Sequence, residues 1–154
     1  MDCPYFVEPG VAGSCMPTRK DLDRWAELGI RHVVTLAEEW ELKEYGGWDP
    51  DVYRAELEAR GIKWLHWPTP DGYPRAAWDR WQAHRRVGQE GGVLVHCVGG
   101  IGRTPTALAA YLIAKGVDAY EALRRVSEVA PSISISESQY YALLELEAEF
   151  KHKN

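Results

Sequence analysis

The residues best placed to do chemistry stand in one run, Val93-Leu94-Val95-His96-Cys97-Val98-Gly99-Gly100-Ile101-Gly102-Arg103-Thr104-Pro105-Thr106. Apolar, β-branched residues lead to Cys97, small residues follow, and beyond Thr104 an apolar-periodic segment begins, so the run reads as strand, tight loop and helix. Glycines let the consecutive N–H groups of Val98, Gly99, Gly100, Ile101 and Gly102 turn toward one centre, and the helix start adds the positive end of its dipole. The result is an anion cradle with Cys97 inside it. A thiol at a helix N-terminus beside an arginine loses its proton readily, so Cys97 is expected to be a thiolate near neutral pH and a nucleophile. Arg103, six residues on, can return over the same centre, and its planar fork matches two non-bridging phosphate oxygens. Thr104 offers a hydroxyl to the sulfur and would ease its departure in the second half of a two-step reaction.

Competing motifs fail on single residues. A dinucleotide fingerprint needs glycine where Pro105 stands after Gly100-Ile101-Gly102, and a nucleotide-binding P-loop needs a lysine that does not occur here. A lone cysteine at a strand end is ordinarily a small core residue. The glycines and the arginine at this spacing argue otherwise.

The pattern His96-Cys97-(five residues)-Arg103-Thr104 resembles the signature of the cysteine-dependent protein tyrosine and dual-specificity phosphatases. Over nearly the whole chain the order of elements is similar to that of the small archaeal and bacterial members. The resemblance implies a single α/β domain over residues 1–154, with a mainly parallel four- to five-stranded sheet, helices on both faces and Cys97 at the C-terminal end of a strand. It implies hydrolysis of phosphate monoesters through a cysteinyl-phosphate, with no metal and no cofactor. Phosphotyrosine in a protein or peptide is the first substrate expectation; dual-specificity targets, small phosphate esters and lipids are the alternatives. A sulfurtransferase and a silent phosphopeptide-binding module are runners-up that the acid segment and the intact cysteine disfavour. His96 resembles the family's neighbour of the nucleophile, with the role of holding the loop by hydrogen bonds. Pro105 departs from the glycine usual there, and a first helical turn tolerates it.

Departure of an alkoxide or phenolate from phosphorus needs a proton. Pro68-Thr69-Pro70-Asp71-Gly72-Tyr73-Pro74 follows a strand and resembles the family's general-acid loop, with Asp71 as the donor. Near the C-terminus Gln139 resembles the glutamine that places the hydrolytic water. It also reads as the partner of Ser136 in a helix capping box, and both roles stay open.

Composition bounds the rest. At 154 residues and 45% hydrophobic content the chain can bury a core of its own. A net charge of −5 argues against general affinity for nucleic acid or anionic membranes, so the anion site must be a local positive pocket on an acidic body. No window reaches the length of a membrane span and the N-terminus lacks a basic-then-apolar order, so a cytoplasmic monomer is expected. Cys3, Cys15 and Cys97 make no metal spacing. Cys3 and Cys15 could resolve an oxidised Cys97, but nothing in the sequence places them near it.

The positioning elements follow from caps and periodicity. Residues 1–17 suggest an edge strand or extended arm. Thr18 with Asp21 caps a helix whose apolar stripe is Leu22, Trp25, Ala26 and Leu28. Residues 30–37 and 62–67 read as strands, and Asp49-Pro50 opens a helix between them. Residues 38–45 read as a loop or short helix whose Trp40 and Tyr45 either wall a substrate ring or cover the core, with core cover favoured. A helix is expected over 74–89, with Ala77, Trp78, Trp81 and Val87 inward and Arg80, Arg85 and Arg86 outward. Asp118 with Glu121 caps the next-to-last helix, residues 132–136 connect, and the last helix turns Leu143, Leu144, Leu146 and Phe150 inward.

Overall fold

The computed structural model describes residues 3–71 and 91–153. Its five strands are β1 (Tyr5–Glu8), β2 (Val11–Ser14), β3 (His32–Thr35), β4 (Lys63–His66) and β5 (Val93–His96), in the sheet order β1-β2-β5-β3-β4. Only the β1–β2 pair is antiparallel; β2–β5, β5–β3 and β3–β4 run parallel. The chain therefore adopts the expected α/β fold with a mainly parallel sheet, and of the four or five strands expected the sheet has five.

Side-chain alternation along each strand divides the core in two. Val93, Val95 and Cys97 join Val34 and Leu36 on one face. There they meet α4 (Arg103–Ala114), α5 (Ala119–Val129) and α6 (Glu137–Lys153). Leu94 and Val33 point the other way, into a cluster with Leu22, Trp25, Leu42, Tyr53, Leu57 and Trp64. That second face is covered by α1 (Arg19–Glu27), α2 (Glu39–Gly46) and α3 (Pro50–Glu58). Register then sets the site. Ser14, Thr35 and His96 are level across the sheet, and Thr35 is level with His66, so four parallel strands end on one line with β5 at its centre. Ligands of open α/β sheets bind beyond that edge.

Local signals placed the helix starts well. Thr18 accepts from and donates to its Asp21 partner as a capping box, Asp49 Oδ1 accepts from the N–H of Asp51 and Val52, and Asp118 Oδ1 accepts from Glu121 N–H at 2.8 Å. Other expectations need correction. The N-terminal arm is a hairpin of two strands, and β2 lies inside the sheet against β5 because Val11 and Ala12 are both fully apolar and buried. Leu28 and Leu144 are exposed, since each falls just off the stripe that its helix turns to the core. Trp40 and Tyr45 do not cover the core: they are 55% and 60% exposed. Helix α2 uses Glu41 and Leu42 as its buried face, which leaves both rings outside. The expected helix over 74–89 lies outside the described residues.

Candidate active site

Where β5 ends, loop 97–103 turns into α4, which begins at Arg103 so that Pro105 occupies its third position and lacks only an N–H the first turn would leave unpaired. Cys97 is buried at the floor of a cleft of about 560 Å³, and the Gly100 N–H points at its Sγ from 3.3 Å. Gly100 takes φ +73°, and a Cβ there would stand 2.8 Å from the Ser14 carbonyl oxygen, so only glycine lets the loop lie this close to β2.

Most loop carbonyls are held by donors. Cys97 O accepts from His96 Nδ1 at 3.0 Å, Val98 O from Met16 N–H at 2.8 Å and Ile101 O from Ser134 N–H at 2.7 Å. Gly102 O accepts from both the N–H and the hydroxyl of Thr106, and Gly100 O from the Tyr5 hydroxyl at 3.1 Å. In a trans peptide the carbonyl and the following N–H point opposite ways, so each held carbonyl fixes the direction of the next amide.

His96 is completely buried between the sheet and the α1–α3 face. Its Nδ1 can only donate to a carbonyl oxygen, so the neutral ring presents Nε2 to the hydroxyls of Tyr53 and Thr35, each at 2.8 Å. Trp64 Nε1 in turn donates to Thr35 Oγ1. Burial is the main cause that drives the imidazole pKa down to about 4, with His66 and Arg103 adding to it and the Cys97 carbonyl opposing. The ring is thus tied on both nitrogens, one of them to the loop carbonyl of Cys97.

Arg103 is buried and held by a residue that sequence reasoning did not single out. Its Nη1 and Nη2 donate to the two carboxylate oxygens of Glu41, each at 2.7 Å, and Nη1 also donates to the Thr69 carbonyl at 2.8 Å. The remaining edge, Nε with the second Nη2 hydrogen, is a fork that suits two phosphate oxygens. Burial pushes the Glu41 carboxyl up, but the hydrogen bonds from Arg103 and the Glu38 backbone, with the guanidinium charge, outweigh it and hold it below the usual carboxylate range. Glu41 Oε1 also accepts the N–H of Glu38, so one carboxylate both caps α2 and orients the arginine. A signal existed: an acidic residue three positions after Glu38 at a helix start.

Asp71 lines the cleft, 81% exposed, with Oδ1 3.7 Å from Arg103 Nε. Its neighbour Thr69 is buried and tied by its N–H to Leu36 O and by its hydroxyl to Trp67 O. Thr104 is fully buried and its Oγ1 has no hydrogen-bond partner, so the expected bond to sulfur is not formed. Gln139 makes the cap, with Oε1 accepting Ser136 N–H at 2.8 Å, and its side chain also lines the cleft beside Gly102. Tyr45, one turn beyond Glu41, forms part of the wall, as do Ile101, Ser134, Ile135 and Ser136. The serine–isoleucine segment carried no signal beyond its reading as a connection. Cys3 lies beside Cys15, with the Cys15 N–H 3.2 Å from Cys3 Sγ. Burial raises the Cys15 thiol to about 11, assisted by the Cys3 thiol.

This geometry has known relatives. The crystal structure of Tk-PTP in the active form superposes with a TM-score of 0.79 at 32% identity, covering 94% of this chain and 96% of that one. The structure of PTPMT1 in complex with PI(5)P shares the fold, with a TM-score of 0.85 at 24% identity over 99% of each chain. In sequence the chain is 25% identical over 119 residues to the amyloplastic phosphoglucan phosphatase DSP4 of Castanea sativa; that stretch is 70% of this chain and 30% of the length of the relative. The model of the Swiss Army Knife protein DSP-PTPase phosphatase domain matches residues 4–144, and the chain belongs to that dual-specificity and protein-tyrosine-phosphatase-like family.

Proposed function

We propose that the chain, as one phosphatase domain over residues 1–154, hydrolyses phosphate monoesters through a cysteinyl-phosphate. The observation that carries this reading is the Gly100 N–H directed at Cys97 Sγ on the floor of a cleft walled by the Nε–Nη2 edge of Arg103. In the first step the Cys97 thiolate attacks phosphorus, the bond from phosphorus to the ester oxygen breaks, and Asp71 delivers a proton to that oxygen. The equatorial oxygens lie against Arg103 and the N–H groups of Val98, Gly99, Gly100, Ile101 and Gly102. In the second step water attacks phosphorus, Asp71 takes its proton, the S–P bond breaks and the thiolate returns. Gln139 orients that water, and as sulfur departs its charge is received by the Gly100 N–H and, after a change of rotamer, by the unpartnered Thr104 hydroxyl. None of these steps draws on a metal or cofactor.

Two features of the cleft favour an aryl phosphate on a protein or peptide. Arg103 is the one cationic side chain among the described lining residues, beside the carboxylates of Glu41 and Asp71, which suits a single phosphate better than a polyanion. Tyr45 stands exposed at the rim, where a ring can lie against it. Comparing turnover of phosphotyrosine, phosphoserine and phosphothreonine peptides with a phosphoglucan and a phosphoinositide tests this. Preference for phosphotyrosine supports it; a faster reaction on the glucan or lipid overturns the substrate assignment, and transfer of sulfur from thiosulfate to cyanide would overturn the reaction class.

A further inference from the structure

The carbonyls of loop 97–103 are not held in equivalent ways. Those of Val98 and Ile101 are held by main-chain N–H groups, Gly102 by Thr106 within its own helix, and Cys97 by the adjacent His96. Gly100 alone depends on a side chain from the far end of the sequence, the hydroxyl of Tyr5, 95 positions away. Gly100 carries no Cβ, so on its side the peptide that joins it to Ile101 meets little steric resistance to rotation. Something outside the loop must set its direction.

Resting on the phosphatase reading above, we infer that Tyr5 is a positioning residue for phosphate binding: by holding the Gly100 carbonyl outward it aims the Ile101 N–H into the cradle. Three observations carry this. Tyr5 belongs to the core under α4–α6 and does not line the cleft, whereas Ile101 does, so the carbonyl is drawn to the side away from the phosphate. Among the described residues the only cis peptide is Cys3–Pro4, so the Gly100–Ile101 peptide is trans and its N–H points opposite the held carbonyl. The phenol ring itself has little freedom. It is 5% exposed and lies so close to Gly13 that a Cβ there would stand 2.6 Å from the ring, so it is wedged between β1 and β2 with its hydroxyl at the loop. Burial raises the phenol's pKa, so it stays an O–H donor throughout the working pH range.

The test is Tyr5→Phe, which keeps the ring on Gly13 and removes only the hydroxyl. Calorimetric titration with inorganic phosphate should show about a tenfold weaker Kd, the size of one neutral hydrogen bond, and KM for an aryl phosphate should rise by the same factor with kcat moved less. Tyr111→Phe is the control: it loses a tyrosine hydroxyl's bond, from Tyr111 to Glu8 at 2.7 Å, eight residues along α4 from Arg103 and outside the cleft lining, and should lose stability without losing phosphate affinity. An unchanged phosphate Kd in Tyr5→Phe, or an equal rise in both variants, overturns the inference. Because binding is read apart from turnover, a wild type that binds phosphate and hydrolyses no monoester sinks the phosphatase reading and leaves the Tyr5 comparison decisive. A wild type that binds no phosphate overturns both.

Discussion

Loop 97–103 and segment 68–71 face the same cleft and are built in opposite ways. In the loop, Cys97 and Arg103 are buried, and donors from β1, the chain after β2, α4 and the 132–136 connection grip its carbonyls. In segment 68–71, Thr69 is tied to the sheet edge and Asp71, two residues on, stands in solvent. The difference agrees with the roles proposed for the two segments. Anion binding gains from dipoles that are already oriented before the ligand arrives, since no reorganisation is then needed at the moment of reaction. Proton delivery needs a group that can reach the leaving oxygen and withdraw, which a rigidly packed carboxylate could not do.

Four measurements break or sharpen this contrast. The largest effect is expected at the loop: Cys97→Ser should abolish turnover while calorimetry still finds phosphate bound, because the amides and Arg103 remain in place. Binding lost together with turnover would mean that the cradle is not preorganised. Next comes the acid. Asp71→Asn should lower kcat by about two to four orders of magnitude for a poor leaving group and much less for an activated phenol. Parallel losses across a leaving-group series would make Asp71 an ordinary turn residue.

The third measurement concerns His96 and stability. Its folded pKa, about 4, lies below the ordinary 6.5, so the folded state resists protonation that the unfolded chain accepts. The stability that the neutral imidazole contributes is therefore present above pH 6.5 and is lost as pH falls from there toward 4, by about 3 kcal/mol. Urea unfolding at about pH 7 and about pH 4.5, on either side of most of that window, should show a steeper loss for wild type than for His96→Asn; equal slopes would mean that the buried ring does not carry this term.

The smallest effect tests the grip on Arg103. Glu41→Gln sets an amide N–H₂ against a guanidinium N–H and removes one charge-assisted bond, so kcat/KM should fall roughly tenfold to a hundredfold. A loss within about twofold would show that Thr69 O and a single side-chain oxygen at position 41 suffice to orient the arginine.

The strand, loop and helix of the proposed cradle were legible in the sequence because their parts are contiguous: a β-branched run, glycines, an arginine and a helix follow from neighbours a few residues apart, and so do the caps at Thr18, Asp49 and Asp118. Gln139 was legible for the same reason, since its cap partner Ser136 lies three residues before it. What the sequence could not order was anything that depends on which strands lie side by side. Glu41 meets Arg103 across 62 positions and Tyr5 meets Gly100 across 95, because β2 and β3 flank β5 in the sheet: β2 pairs with the strand β1 that holds Tyr5, and β3 leads into the helix α2 that holds Glu41. In α2 the buried side of a two-turn helix went to Glu41 and Leu42, which turned Trp40 and Tyr45 outward, while the buried Thr104 hydroxyl has no hydrogen-bond partner. Local chemistry determined which residues could bind an anion; strand order and register decided which distant residues would hold them still.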